Sequence, residues 1–257
     1  MKPNRSAEAE NLWGYAKRLR FVRESILARF PHRASSTLRI LDIGCGNGSE
    51  LALPLARDGY TLIGIDTDRA SIDRARELAH QLANARFHCS TLDDFIDDQP
   101  YDVLILSEVL EHLGEPEQLL VAATKRLKLD GLLLVTVPNG YGEFEWDSWI
   151  FRGLRLQKLV DALFGKDAGV VGATDNHDSG HIQFFTRSRL ETMFKMAGLI
   201  ISREGLGSLV GGPLAGHTAG RSARFIEWNA RITDRLPPAF AGSWYFALTF
   251  PPSRGPV

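Results

Sequence analysis

The run Leu41-Asp42-Ile43-Gly44-Cys45-Gly46-Asn47-Gly48 follows a strand-like stretch, and the next such stretch ends in Gly64-Ile65-Asp66-Thr67-Asp68. Glycines at alternate positions let a backbone turn sharply off a strand end and come close to a ligand, because no Cβ obstructs either. An acidic residue at the end of the following strand can grip both hydroxyls of a ribose. The two motifs together point to a nucleoside-bearing ligand. Their spacing is Gly-x-Gly-x-Gly, not the Gly-x-Gly-x-x-Gly that opens a helix beneath a pyrophosphate, and the loop begins with a carboxylate, Asp42, that repels phosphate. A ligand with a ribose, no phosphate and a cationic amino-acid end suits it better.

The chain rhythm around these motifs is that of an α/β protein. Apolar runs at 38–43, 61–65, 85–89, 101–106 and 131–137 read as strands, and 49–58, 69–82 and 116–127 read as helices between them. Alternation of this kind builds a parallel sheet, whose central strands are apolar throughout because both faces are covered. Residues 7–30 carry Leu12, Trp13, Tyr15, Ala16, Leu19, Val22, Ile26 and Leu27 near helical spacing. We read them as a helix or two covering the sheet, from which Trp13, Tyr15 and Arg18 can reach a ligand pocket. Residues 140–180 break the rhythm with Tyr141, Phe144, Trp146, Trp149 and Phe151 and a helix near 154–164. Helices at 187–197 and 221–235, with strands at 199–203 and 243–250, finish the chain.

Composition excludes several classes. The chain has 257 residues, enough for one full α/β core, and its 30 basic and 31 acidic residues leave a formal charge of −1. No global field draws it to nucleic acid or anionic lipid, so a small-molecule partner is expected. No apolar run approaches the roughly 18 residues of a membrane span. Its two cysteines, Cys45 and Cys89, lack metal-finger spacing and suit a reducing cytoplasm.

The glycine loop, Asp66 and the segment after the fourth strand, in that order, resemble class I S-adenosylmethionine-dependent methyltransferases. The segment Ser107-Glu108-Val109-Leu110-Glu111-His112-Leu113 is most similar to the Glu-x-x-Glu-His signature of ubiquinone-biosynthesis O-methyltransferases. The resemblance implies a Rossmann-like, doubly wound, seven-stranded sheet, mostly parallel with an antiparallel last strand. It also implies one methyltransferase domain over 1–257, with a helical cover at 1–36 and acceptor-side insertions at 140–180 and 207–236. Carried over residue by residue, Asp42, Gly44, Gly46 and Gly48 surround the methionine portion of S-adenosylmethionine. Asp66 and Thr67 take the ribose, and Ser90, Thr91 and Leu92 the adenine, with Asp93 an alternative. Ser107 and Glu108 meet the methionine amino group.

Two chemistries stay open. In a helical turn, Glu108, Glu111 and His112 share a face, and with His181 they can hold Mg, Mn or Zn that lowers the pKa of the acceptor hydroxyl. Without a metal, His181, His177 or His112 serves as general base. The stretch from Asn176 to Arg187 also resembles small-RNA 3′-terminal 2′-O-methyltransferases, whose metal-binding histidine matches His181. The functional expectation is therefore O-methylation of a small-molecule, lipid-like or sugar hydroxyl. RNA 2′-O-methylation, opposed by the charge balance, and a non-catalytic S-adenosylmethionine-binding protein are the alternatives.

Overall fold

A computed structural model describes residues 10–140, 182–210 and 222–252. Seven strands form one sheet: β1 (Arg39–Ile43), β2 (Thr61–Asp66), β3 (Ala85–Cys89), β4 (Tyr101–Ser107), β5 (Leu127–Pro138), β6 (Ile200–Leu206) and β7 (Ser243–Thr249). Their order is β3-β2-β1-β4-β5-β7-β6. The pairings from β3 through β5 are parallel, and β7 is antiparallel to both β5 and β6. The expected doubly wound sheet with an antiparallel last strand is what the chain forms.

The period-2 alternation of strand side chains divides the core in two. Leu41, Ile43, Leu104, Leu106, Leu133 and Val135 face one side, where α4 (Pro116–Thr124) and α5 (Arg187–Met196) bury Leu120, Leu190 and Phe194. Ile40, Val103, Ile105, Leu132 and Leu134 face the other, under α1 (Tyr15–Arg29), α2 (Ala52–Arg57) and α3 (Arg69–Leu78). β4 is buried from Tyr101 to Leu106 because helices cover both its faces, whereas β6, at the sheet edge, is only partly buried.

Local chemistry sets the element ends. The Asp68 side chain accepts from the Ala70 and Ser71 amides to start α3, and Thr186 and Ser222 cap α5 and α6 (Ala223–Ile232) in the same way. Pro116 opens α4 at a position where its missing N–H costs nothing. Within the expected helical stretch, α1 begins at Tyr15, preceded by Gly14 at φ 76°. β5 begins four residues earlier than expected. Gly131 reads locally as a strand start, but a register shift between Tyr101 and Val103 lets β4 pair with the longer strand. Lys128, in that extension, reaches the fully buried Asp102, which Arg33 and the Arg39 amide also hold.

The chain runs from β1 outward to β2 and β3, then returns to lay β4 on the other side of β1. Loops leaving β1 and β4 therefore diverge around a crevice at the carboxyl ends of those strands, the place where open α/β sheets bind ligands. No helix among the described residues is long and apolar enough to cross a membrane.

Candidate functional site

The glycine turn forms one wall of this crevice. Gly44, Gly46 and Gly48 all adopt positive φ, and the Gly44 and Cys45 amides both donate to the Ile65 carbonyl of β2. At Gly44 the left-handed backbone (φ 74°) is joined by close approach from the β4 loop, since a Cβ there would lie 2.5 Å from Val109 Cγ2. Asp66 closes the turn: one carboxylate oxygen accepts the Gly46 amide at 2.8 Å and the other the Asp68 amide at 2.9 Å. Each oxygen keeps a further lone pair for a hydroxyl donor. Thr67, next along, is exposed.

Asp42 lies one residue before the end of β1, ahead of the turn. It is 3% exposed, and no described residue donates a hydrogen bond to its carboxylate. Burial, with Asp66 and Glu50 adding repulsion, pushes its pKa up to about 7.

The other wall comes from β4, β5 and α1, the helix from which Tyr15 and Arg18 were expected to reach the pocket. Ser107 Oγ and Thr136 Oγ1 are 2.9 Å apart, and Thr136 Oγ1 donates to Glu108 Oε1 at 2.8 Å. Arg18, on the buried side of α1, donates through Nη1 to Glu50 Oε2 at 3.2 Å and Ser107 Oγ at 3.3 Å, and Nη2 lies 4.0 Å from Glu108 Oε1. Burial alone would lower its pKa, but Glu108 and Glu50 outweigh that and hold the guanidinium above its ordinary value. Its Nε is buried without a hydrogen-bond partner. Tyr15 also leans over the turn, its hydroxyl 3.3 Å from the Ser49 carbonyl.

The segment after β4 does not form the helical turn expected of it. Glu108 adopts φ 55°, and only a single 3₁₀ turn, Leu110–His112, follows. With that kink, residues three and four apart no longer share a face. Glu108 turns toward Thr136 and Arg18, whereas Glu111 enters the interior, fully buried, with neither carboxylate oxygen hydrogen-bonded. Burial, and Glu108 secondarily, raise the Glu111 pKa well above the carboxylate range. His112 Nε2 lies 3.9 Å from Glu111 Oε1.

Among the described residues no group of three histidine, cysteine or carboxylate side chains is placed to hold a metal, so Glu108, Glu111 and His112 do not form a site without the expected His181. The expectations for His177 and His181 lie outside the described residues. The chain beyond them returns beside Glu111, whose carbonyl accepts the Ile182 and Gln183 amides at 2.9 and 3.0 Å.

At the far end of the crevice the Ser90 amide donates to the Asp66 carbonyl. Thr91 Oγ1 and Asp94 cap one another in a turn, Leu92 is buried, and Asp93 is exposed. Asp93 and Asp94 thus form a solvated turn. Sequence reasoning left Glu50 and Thr136 unnamed. Glu50 could have been noticed two residues past the last glycine, but nothing local marks Thr136, which gains its place only by pairing.

Comparison with known proteins identifies the family and the fold. Residues 15–202 match the methyltransferase domain family, and the chain belongs to it. Relatives include ubiquinone biosynthesis O-methyltransferases from Rickettsia akari (strain Hartford), 34% identical over 123 residues, and Caulobacter sp. (strain K31), 35% identical over 130 residues. Each match covers 48% of this chain, and 48% and 51% of those proteins, so the chain spans about half the length of the curated relatives it matches. Among solved structures, magnesium protoporphyrin IX methyltransferase from Synechocystis PCC 6803 with bound SAH aligns with a TM-score of 0.56 at 17% identity. That alignment covers 93% of this chain and 85% of that one. The [4+2]-cyclase SpnF aligns at 0.58 and 18%, covering 95% and 88%. Both share the fold.

Proposed function

We propose that the protein is an S-adenosylmethionine-dependent O-methyltransferase acting on a hydroxyl of a small-molecule, lipid-like or sugar acceptor. One observation carries the reading. Around the glycine turn, the unfilled polar groups match the cofactor's ends: Asp66 has spare acceptor capacity for a ribose, Asp42 is a buried carboxylate without a donor, and Arg18 has a buried, unused Nε–H.

In this reading Gly44, Gly46 and Gly48 bring the backbone close to the methionine portion, and Asp66 and Thr67 hold the ribose. Ser90, Thr91 and Leu92 line the adenine. Ser107 and Glu108 receive the amino group, and Arg18, anchored by Glu50, Ser107 and Glu108, takes the carboxylate. When bound, the cofactor supplies a methyl group made electrophilic by its sulfonium. The chain must hold the acceptor hydroxyl in line and remove its proton, and His112, His177 and His181 are the candidate bases. No step is assigned to a metal, because among the described residues Glu108, Glu111 and His112 do not by themselves form a three-residue site. The names of the relatives support oxygen as the atom methylated.

The test is calorimetry with S-adenosylmethionine, followed by a mass-spectrometric search of cell extract for products heavier by one CH₂ when labelled donor is added. Binding that Asp66→Ala weakens, and a labelled oxygen-methyl product, are expected. Absence of binding would end the reading, and binding without transfer to any acceptor would favour a regulatory protein.

A further inference from the structure

Among the described residues three carboxyl groups are buried, on the sheet or in the turn after β4, and two of them differ from Asp42 in an instructive way. Asp102 is met by Arg33, Lys128 and a backbone amide. Glu111 is fully buried with neither oxygen hydrogen-bonded, and burial raises its pKa well above the carboxylate range. Asp42 has no donor either, yet it lies in β1 immediately before the glycine turn at the crevice. Resting on the S-adenosylmethionine reading, we propose that Asp42 with Glu50 and Asp66 makes the site select the cationic sulfonium donor over the neutral sulfide product.

The charged groups that act on Asp42 are both acidic. Asp66 faces it from β2 and Glu50 from the segment entering α2. Cys45, in the turn itself, stays a neutral thiol because burial, with Asp42 and Asp66, raises its pKa well above the ordinary value. The nearby cation, Arg18 of α1, is already divided between Glu50 and Glu108. Against four carboxylates, one guanidinium leaves an excess of negative potential at the strand ends.

Donor and product share adenine, ribose, ammonium and carboxylate. They differ in one methyl group and in one positive charge, on sulfur. A buried anion without a counter-ion acts on that difference, since the Coulomb energy of a unit charge is several-fold larger near protein than in water. With its pKa held up at about 7, Asp42 is partly protonated in neutral solution. The sulfonium stabilises its ionised form, so donor binding drives the proton off Asp42 more completely than product binding does. The ammonium common to both ligands cancels in the comparison. Selectivity for donor over product therefore grows as pH rises through neutrality, and product inhibition weakens with it.

The experiment is calorimetry on the full chain with S-adenosylmethionine and, separately, S-adenosylhomocysteine. It runs from about pH 6 to pH 8 in two buffers of different ionisation enthalpy. The ratio of product Kd to donor Kd should rise roughly tenfold across that range, the equivalent of one pKa unit of differential interaction. Near pH 7 the donor should release more protons than the product. In Asp42→Asn the ratio should be low and flat. In Glu50→Gln, which also serves if Asp42→Asn fails to fold, the rise should begin at lower pH because one repelling charge is gone. A flat ratio in the native protein, or a rise that survives Asp42→Asn, would overturn the inference while leaving the cofactor assignment intact. If neither ligand binds the native protein, the cofactor assignment itself falls, and the inference with it.

Discussion

Arg18→Met removes a charge that only the folded chain brings to the crevice, and its consequences can be worked from the contacts. The methionine keeps most of the buried stem, so the loss falls on the guanidinium. Its bond to Glu50 contributes little, about 0–1 kcal/mol, because the Glu50 side chain is 41% exposed and water replaces the arginine. The bond to Ser107 and the ion pair with Glu108, whose side chain is 29% exposed, are more sheltered, and hydrogen bonds to charged groups are worth about 1.5–3 kcal/mol. A net destabilisation of about 2–3 kcal/mol follows, which for a chain of this size lowers Tm by about 4–12 °C.

Donor affinity should fall further than this loss of stability implies, by about 10–100-fold, because the cofactor carboxylate loses a charged partner. Arg18→Lys should recover part of the affinity, since it restores charge without the planar fork. Thermal melts with and without S-adenosylmethionine, together with calorimetric titration, measure both quantities. If Arg18→Met melts lower but binds donor with native affinity, α1 is a structural cover and the carboxylate assignment is wrong.

Asp66→Ala should weaken donor binding at least tenfold, and Asp66→Asn somewhat less, because Asn still offers one oxygen to the Gly46 or Asp68 amide; equal affinity in all three proteins would refute the ribose role. Gly44→Ala forces a side chain into a left-handed backbone and against Val109, so binding should be lost in a protein that stays folded by circular dichroism. Asp102→Ala strands Arg33 and Lys128 beside a buried gap and should cost about 3–5 kcal/mol in denaturant unfolding. The hydrogen bonds and cations around Asp102 outweigh its burial and depress its pKa in the folded state. Its contribution is therefore complete above the unfolded pKa of about 3.9 and lost as pH falls through the lower folded value, so native protein and Asp102→Ala should converge in stability only in strong acid.

What could be read from the chain alone was what short-range physics fixes. The 85–89 strand, the helices beginning at Arg69, Pro116 and Arg187, and the glycine turn all follow from side-chain period, capping residues and backbone freedom within a few residues. The pairing of Gly-x-Gly-x-Gly with Asp66 was legible for the same reason, since one strand and one crossover helix fix their relation. Tertiary structure decided the rest. Arg18 was a candidate from the helix before β1, but its partners Glu50, Ser107 and Glu108 were set by the fold, as was the place of Thr136 at a strand end. Glu108 and Glu111, which the spacing of a helix would place side by side, are parted by one left-handed residue and sent to different environments. Sequence spacing predicts neighbours only while the backbone stays regular. Charge and burial at a crevice are set by whichever strands and helices meet there.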